Sequence, residues 1–386
     1  MLRRVLLLLG LVCAFSVQAV TNQELLGNLA ARIHELSPER GSLIKSFTNH
    51  SQSYIYDQAL AIIAFTKNSD QPKARALLRG LKSLQMKDGS LYFSYNLDGS
   101  SIYPAEGDKR IAGAMSWVAL AAIHYQAKFK SKEFLGFNYK LLTYLHSEIV
   151  PIETAGVKTR ALRFAHQDVS STPFKENDTV ALEHNLDAYA AFTHFARVNK
   201  KDKWNLAAKE LKSFILSMWD KSNSHFWSGA SISSGFINRS ELYLDNQTWS
   251  LLALDTSILK EISPDEALEL NCDVFLATHK GVNGFMDSKP SRGPASHTFV
   301  WSEGTLGQIL AMKKMDKINK KTSFCKNHSS DDFLSSIRKM KQSDGGIAYA
   351  TTAEKPDFTT ASSVAGTAWM FFAASDFNPF EMEEYN

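Results

Sequence analysis

One type of helix occurs six times in this chain and constrains its fold more than any other feature. Each copy is apolar on nearly every side and rich in alanine and glycine. The copies begin near Tyr56, Ala112, His184, Asp245, Ser302 and Val364, 56 to 72 residues apart. A helix that is apolar all round belongs in an interior, and small residues let neighbouring helices approach closely. We therefore expect six buried helices packed against one another.

A second, amphipathic type of helix precedes each buried one. Apolar residues at spacings of three and four place one stripe on each helix, with polar residues opposite. The clearest stripes are Leu25, Leu29, Ile33 and Leu36; Ala74, Leu77, Leu78 and Leu81; and Trp204, Ala207, Leu211 and Phe214. Weaker ones occur near 132–148, 264–278 and 331–341. Capping boxes are predicted at Thr21 with Glu24, and at Ser263 with Glu266 after Pro264.

Six amphipathic helices alternating with six buried ones indicate an inner ring wrapped by an outer ring. An open solenoid is the alternative, but the last buried helix carries Trp369, Phe371 and Phe372, which an open end would expose. With 44% hydrophobic residues and no Pro/Gly/Ser-rich linker, the chain predicts one domain over residues 20–386. The predicted fold is all-α, an (α/α)₆ toroid of six helical hairpins.

The segments that enter the buried helices carry most of the chemical variety. Residues 87–101, 223–241, 280–298 and 343–352 combine glycine turns with aromatic and β-branched residues, which predicts short β-hairpins. Connections on the opposite side, such as residues 67–73, are shorter and plainer. The functional face should therefore surround the N-terminal ends of the buried helices.

Residues 1–19 have the pattern of a signal peptide. Arg3 and Arg4 precede an apolar run, residues 5–15, that is too short to span a bilayer. Residues 17–19 then fit a cleavage site, so we expect cleavage after Ala19, with an uncleaved anchor as the alternative. The mature protein is predicted to be periplasmic or secreted, without stable membrane insertion.

Composition argues against several classes of partner. Lys and Arg total 43 against 40 acidic residues, and no basic block is interleaved with aromatics, so nucleic acid is not an expected partner. No cysteine or histidine spacing resembles a zinc site, and no metal or cofactor is predicted. Cys272 and Cys325 remain after signal cleavage; they could pair in an oxidising compartment, but two buried free thiols are the favoured interpretation.

Polar and aromatic residues cluster where the buried helices begin. The candidate catalytic acids are Asp57, Glu183, Asp245 and Glu303. The candidate substrate-binding residues are Tyr56, Gln58, Tyr95, Arg110, Trp117, His184, Asn185, Asp187, Asn246, Trp249, Trp301 and Trp369. An acid at a helix start also satisfies free N–H groups and the helix dipole, which is the plainer explanation of any single one. Asp88 and Asp344 precede glycines and are interpreted as turn residues.

The six-hairpin plan, these acid–aromatic helix starts, and the D-G-x-x-x-Y/F elements at Asp88-Gly89 and Asp344-Gly345 resemble the six-hairpin glycosidase-like superfamily. The resemblance covers nearly the whole mature chain. It implies a sugar-binding cleft across the inner-helix N-termini, with carboxylates as acid and base and a leaning towards inversion. Glycoside hydrolysis needs one carboxylic acid to protonate the leaving oxygen and one carboxylate to activate water or attack carbon. The expected function is an exported glycoside hydrolase that acts on an oligo- or polysaccharide without a cofactor.

Three alternatives stay open. A polysaccharide lyase would use His184 or Tyr189 as base and Asn185 or Arg110 to neutralise a uronate, with Tyr56 and Tyr95 nearby. A terpene-cyclase or prenyltransferase toroid is suggested by residues 77–93, but no Asp-rich motif or zinc ligand set accompanies them. The third is a toroid that only binds glycan or protein. Sugar, linkage and oligomeric state are not specified by the sequence.

Overall fold

The computed structural model describes residues 20–102, 109–167, 175–320, 324–325 and 328–383. The predicted signal peptide, residues 1–19, lies outside these ranges. The helices are α1 (Asn22–Ala31), α2 (Ile55–Lys67), α3 (Gln71–Leu84), α4 (Ala112–Phe129), α5 (Leu135–Ser147), α6 (Leu182–Asn199), α7 (Asp202–Ser217), α8 (Leu244–Ala253), α9 (Thr256–Leu259), α10 (Pro264–Val274), α11 (Ser302–Asn319), α12 (Ser330–Ile337) and α13 (Val364–Ala374), with 3₁₀ turns at Lys175–Asp178 and Arg338–Met340. Across these ranges no helix is long and apolar enough to cross a membrane.

The strands are short and occur in pairs. They are β1 (Ile33–Ser37), β2 (Gly41–Ile44), β3 (Gln52–Tyr54), β4 (Ser94–Asn96), β5 (Lys109–Ile111), β6 (Ile149–Thr154), β7 (Val157–Leu162), β8 (Ala165–Gln167), β9 (Thr179–Ala181), β10 (Trp219–Asp220), β11 (His225–Phe226), β12 (Gly229–Ser231), β13 (Glu241–Tyr243), β14 (Leu276–His279), β15 (Val282–Phe285), β16 (Ser288–Pro290), β17 (Ile347–Ala348) and β18 (Ser362–Ser363). Local antiparallel hairpins are β1–β2, β6–β7, β10–β11 and β14–β15. Short strand pairs are thus present as predicted, and β10–β11 and β14–β15 overlap the predicted segments 223–241 and 280–298. In the segments 87–101 and 343–352, however, β4 pairs with β3 and β17 with β18, so neither segment forms a hairpin by itself.

The inner ring consists of α2, α4, α6, α8, α11 and α13. Each of these helices packs on the next, and α13 packs back on α2, so the ring is closed. In α4 every residue from Ala112 to Tyr125 is buried, as a helix that is apolar all round requires. The inner helices begin within two residues of the predicted starts, which confirms the (α/α)₆ toroid.

The outer ring consists of α1, α3, α5, α7, α10 and α12. Each inner helix packs on the outer helix that follows it in the chain, and α13, which has no successor, packs on α1. Arg32, just after α1, connects the first repeat with the last. Its guanidinium contacts Asp344 Oδ2 (3.1 Å) and donates to the carbonyls of Ser362 (3.1 Å) and Ser46 (3.3 Å). The N-terminal helix thus completes the last hairpin of the ring.

The first helix is shorter than its apolar stripe predicts. It ends at Ala31, and Ile33 and Leu36 lie in β1, which pairs with β2. The reason is local, because the residue before Pro38 disfavours helical backbone and Gly41 has φ +89° in the turn. The capping box of Thr21 is present, whereas Ser263 caps α10 without a side-chain bond, and Glu266 instead accepts from Ser224 Oγ (2.7 Å).

Backbone hydrogen bonds join every repeat to the next. The N–H of the first residue of each inner helix donates to a loop carbonyl of the following repeat, at 2.8–3.1 Å. The pairs are Ile55 to Phe93, Ala112 to Phe164, Leu182 to Ser228, Leu244 to Asp287, Ser302 to Tyr349 and Val364 to Ser46. These bonds satisfy donors that a helix start leaves free. The sixth returns to the first repeat and closes the ring on the functional face.

A second set of bonds ties each inner helix to a loop of its own repeat. The side chain of the fourth residue of every inner helix accepts a loop N–H. We call these the brace residues: Gln58, Met115, Asn185, Gln247, Thr305 and Thr367. Asn185 and Gln247 also donate back to the same loop residue, Leu162 and Phe226 respectively. The loops are thereby held at a defined height above the helix starts.

Cys272 and Cys325 form a disulfide, so the favoured interpretation of two free thiols was wrong. The cysteines are 53 residues apart in sequence, yet their Cα atoms lie 5.0 Å apart. Cys272 is in α10 and Cys325 precedes α12, two neighbouring outer elements of the ring. Only the folded ring brings them together, which is why their pairing was not evident from spacing.

Candidate active site

A cavity of about 860 Å³ opens at the N-terminal ends of the inner helices. The second residue of each inner helix lines it, and these six residues form the cavity ring: Tyr56, Gly113, Glu183, Asp245, Glu303 and Ala365. Residues four apart share a helix face, so sixth residues lie one turn deeper. Trp117, Asp187 and Trp249 are those that reach the cavity. All four predicted acids, including Asp57, line this one space.

Three tryptophans form an aromatic floor. Trp249 and Trp369 stack with centroids 6.0 Å apart and 9° between their planes, and Trp117 meets both edge-on at 5.7 and 6.1 Å. Trp369 lies beneath the cavity wall, and its Nε1–H donates to Tyr56 Oη (3.0 Å). Trp117 and Trp249 reach the cavity with only 1% and 7% of their surface exposed, so the floor is apolar and closely packed.

Glu303 is held at the floor by Tyr56. The hydroxyl of Tyr56 donates to Glu303 Oε1, and burial keeps that hydroxyl protonated by raising its pKa well above the usual value. Burial also raises the pKa of Glu303 to about 8, although the Tyr56 hydrogen bond acts in the opposite direction. Asp57 is likewise raised by burial, to a pKa of about 7, with Ser46 and Arg32 opposing the shift. Glu303 is therefore an acid that retains its proton at neutral pH.

Glu183 has the opposite environment, although it faces the same cavity. Burial acts to raise its pKa, but the hydrogen bond and charge of His184, whose Nε2 lies 3.1 Å from Glu183 Oε1, outweigh burial and lower it. Burial and the neighbouring charge of Glu183 raise the pKa values of Asp245 and Asp187 well above the usual range. Protonated Asp245 donates to Glu183. One carboxylate is thus ionised among acids that keep their protons.

His184 lies against a glycine on the neighbouring inner helix, α4. Its Nδ1 lies 3.2 Å from the carbonyl of Phe164, whose ring packs on the imidazole with centroids 4.3 Å apart and 31° between the planes. On its other side, a Cβ at Gly113 would lie only 2.3 Å from His184 Cδ2. Both ring nitrogens of His184 face acceptor groups, the Phe164 carbonyl at Nδ1 and the Glu183 carboxylate at Nε2. Gly113 therefore leaves room for the contact between His184 and Glu183.

Several predicted binding residues do not line the cavity. Gln58 and Asn185 are brace residues, with buried amides bonded to loop backbone. Tyr95 is buried and accepts the N–H of Tyr92 (2.9 Å). Arg110 forms an ion pair with the turn residue Asp88 (2.8 Å) instead of facing the cavity. Asn246 is buried outside the wall. The predicted residues that do line it are Tyr56, Trp117, His184, Asp187, Trp249 and Trp301, with Trp369 directly below.

The cavity wall also contains residues that were not among the predicted site residues. Phe93, Phe164 and Tyr349 occupy equivalent loop positions, because the carbonyl of each accepts the first N–H of an inner helix. Phe93 and Tyr349 are the final aromatics of the two D-G-x-x-x-Y/F elements, so the motif itself contained this signal. Further wall residues are Phe47, Asn49, His50, Tyr54, Lys109, Ile111, Ala114, Asp357, Phe358 and Thr359. No group of three or more His, Cys, Asp and Glu residues in the described ranges is arranged to hold a metal ion.

Comparison with known proteins supports the fold and adds no sequence relative. No protein-family model matches the chain, and no curated protein matches it by sequence. Solved structures do match. A cellobiose 2-epimerase from Bacillus thermoamylovorans aligns with a TM-score of 0.67 and 12% identity over 92% of this chain and 99% of that one.

Two further solved structures align over a similar extent. A sugar epimerase from a ruminal bacterium has a TM-score of 0.66 at 11% identity, covering 92% of this chain and 98% of that one. A family 76 glycoside hydrolase (mannosidase) from Bacteroides thetaiotaomicron has a TM-score of 0.62 at 13% identity, covering 92% and 96%. At such identities the likeness establishes the fold, and the resemblance to six-hairpin glycosidase-like toroids is confirmed at that level.

Proposed function

We propose that this protein is a carbohydrate-active enzyme, and specifically a glycoside hydrolase. The observation that carries the proposal is the pairing of opposite protonation states within one aromatic-floored cavity. Glu303 retains a proton at neutral pH, whereas Glu183 is ionised. Hydrolysis of a glycosidic bond needs one acid and one carboxylate in these states, held around the same bond.

The geometry favours particular roles. Glu303 is the general acid, because it is protonated, buried and oriented by Tyr56. Glu183 is the carboxylate that activates water or attacks the sugar, and its hydrogen bond with Asp245 places that residue in the same half of the site. Asp245 and Asp187 then limit how much negative charge the cavity holds, since their protons stay on. Trp117 and Trp249 would cover the apolar face of a pyranose ring.

The lyase alternative has less support. A uronate-directed lyase must neutralise the substrate carboxylate, and Arg110, proposed for that role, is bound to Asp88 outside the cavity. Tyr95 is buried outside the cavity, and its hydroxyl accepts the backbone N–H of Tyr92. Glu183, the acid of the cavity whose pKa is lowered, would disfavour a substrate carboxylate nearby.

Sugar epimerisation or isomerisation is a second candidate, for one specific reason. Such reactions move a proton at a carbon beside a carbonyl and need a base in the site. His184, a residue type that serves as a base in enzymes, lines the cavity beside Glu183. Two of the similar structures reported above are a sugar epimerase and a cellobiose 2-epimerase. The two candidates differ in product, because only hydrolysis creates new reducing ends.

The test is to incubate the mature protein with mannans, β-glucans, α-glucans and uronate polymers, and to measure new reducing ends and ultraviolet absorbance of unsaturated products. In parallel, cellobiose and free hexoses in D₂O are followed by NMR for exchange at carbon. Variants Glu303→Gln, Glu183→Gln and Asp245→Asn are compared with Glu35→Gln, an exposed carboxylate on β1. New reducing ends that only the cavity variants lose would support the hydrolase. Deuterium uptake without new reducing ends would support the epimerase instead.

We also propose export to the periplasm or beyond, from the signal-like residues 1–19. An enzyme that acts on polymeric glycans would meet its substrate there. Cell fractionation, with mass spectrometry of the mature N-terminus, tests this. A start at Val20 in the periplasmic or secreted fraction is the expected result, and an intact N-terminus in the cytoplasm would contradict it.

A further inference from the structure

The chain does not end when the last inner helix ends. After α13 stops at Ala374, the segment Phe377–Glu383 crosses the far ends of the inner helices, opposite the cavity. We call this segment the C-terminal plug. Phe377 and Phe380 are buried, at 2% and 1% exposure, although they lie outside any helix or strand.

Hydrogen bonds attach the plug to three inner helices. Asn378 Nδ2 donates to the carbonyl of Leu252 in α8 (2.9 Å). His124 Nε2 in α4 lies 2.9 Å from the carbonyl of Pro379, and His194 Nε2 in α6 lies 2.7 Å from the carbonyl of Phe380. A carbonyl can only accept, so both histidines donate. These bonds satisfy plug carbonyls that would otherwise be buried without partners.

Ion pairs attach the plug to two more inner helices. Lys314 in α11 contacts Glu381 (2.7 Å), and Lys67 at the end of α2 contacts Glu383. With α13 as its own source, the plug is therefore joined to all six inner helices of the ring. The plug occupies the centre of the ring at its far end.

One plug side chain reaches the back of the aromatic floor. The ring of Phe380 lies 4.8 Å from Trp117 and 5.5 Å from Trp249, measured between centroids. Both tryptophans line the cavity on their other side. Because interiors are close-packed, the ring of Phe380 limits how far these indoles can move away from the cavity. No wall or floor residue of the cavity belongs to the plug itself.

We infer that the C-terminal plug closes the far end of the central channel, and that Phe380 is a positioning residue for the tryptophan floor. The cavity is then a blind pocket, which a ligand enters and leaves on the same face. Phe380 never touches the ligand, and it acts through Trp117 and Trp249. The identity of the ligand as a sugar rests on the proposed function, whereas the positioning of the floor does not.

The test compares Phe380→Ala with Phe214→Ala, a fully buried phenylalanine in outer helix α7. Both truncations remove a buried ring, so both should lower the melting temperature. Only Phe380→Ala should weaken the circular-dichroism couplet of the stacked Trp249–Trp369 pair and increase quenching of tryptophan fluorescence by acrylamide. Phe380→Leu, which retains apolar volume, should restore most of both signals.

On whichever glycan the wild type cleaves, Phe380→Ala should raise KM about tenfold, as loss of one well-placed stacking contact would, with a smaller change in kcat. Phe214→Ala should leave KM unchanged. If Phe380→Ala does not fold, Phe380→Leu carries the test, with partial shifts in the same directions expected.

The outcome that overturns the inference is a Phe380 variant whose couplet, acrylamide quenching and KM match those of the Phe214 control. The plug would then be only a structural clamp. Absence of turnover on any glycan would refute the proposed function and leave the spectroscopic comparison intact, so the two failures are distinguishable.

Discussion

The cavity ring and the brace residues lie two positions apart on the same six helices and behave differently. The brace position varies chemically, from Gln and Asn to Thr and Met, yet all six side chains accept a loop N–H. The cavity-ring residues all line the cavity, but their side chains share no common chemical role. Three consecutive helices carry Glu183, Asp245 and Glu303, and the other three carry Ala365, Tyr56 and Gly113. Scaffold and chemistry are thus separated by about half a helical turn.

This separation explains how a repeated fold can hold an asymmetric site. The loops keep the same height around the ring because the braces perform one function six times. The second positions are free to differ, so one arc is acidic and the other is small or aromatic. The comparison can be tested by changing one ring at a time.

The largest effect is expected from Glu303→Gln in the cavity ring. Loss of a general acid should reduce kcat by about 10²–10⁴-fold with little loss of stability. Steady-state kinetics on the hydrolysed glycan measures this, with Glu35→Gln as the exposed control. A Glu303→Gln enzyme with near wild-type kcat would show that Glu303 is not the general acid.

A brace substitution should have the reverse signature. Asn185→Ala leaves both the N–H and the carbonyl of Leu162 without their partner, at about 1–3 kcal/mol for each buried group. We expect the free energy of unfolding in urea to fall by about 2 kcal/mol or more, with KM and kcat of the folded fraction little changed. Asn205→Ala, on the exposed side of α7, is the control. An unchanged midpoint in Asn185→Ala would show that the brace contributes little.

Gly113→Ala tests whether the small arc supports the acidic one. The added Cβ displaces His184, so the pKa of Glu183 should rise towards its usual value. The acid limb of the kcat/KM profile should therefore move to higher pH. Gly136→Ala, where a Cβ meets nothing within 4 Å, controls for the glycine change itself. Identical acid limbs in the two variants would exclude this role for Gly113.

The smallest effect concerns stability and pH. The pKa of Glu303 is about 8 in the folded protein against 4.5 as the reference, so the folded state binds the extra proton between these values. Stability should therefore fall as pH rises through that window, because the unfolded state binds fewer protons. Glu303→Gln removes this loss, and its melting temperature should exceed that of wild type by a few degrees at pH 8 but not at pH 4. Equal differences at both pH values would argue against a raised pKa.

Much of the fold was predictable because its signals are local. Periodicity identified six inner and six outer helices, and the inner starts agree within two residues. The aromatic last helix indicated a closed ring, which the packing of α13 on α1 and α2 confirms. The same local patterns placed Glu183, Asp245, Glu303 and Asp57 at helix starts, and the ring geometry then predicted that they would meet.

Tertiary structure decided what those residues experience. Gln58 and Asn185 looked like ligand-binding amides. They lie two positions after the cavity-ring residues of their helices, so their side chains point away from the cavity and bond to loop backbone. Glu183 and Glu303 are both glutamates at the second position of an inner helix. Their pKa values differ because His184 lowers that of Glu183, whereas burial raises that of Glu303 despite its hydrogen bond with Tyr56. Long-range contacts also determined the Cys272–Cys325 disulfide and the C-terminal plug. The sequence by itself determined the repeating elements, because each depends on nearby residues; charge states and partners depend on chain segments that only the closed ring brings together.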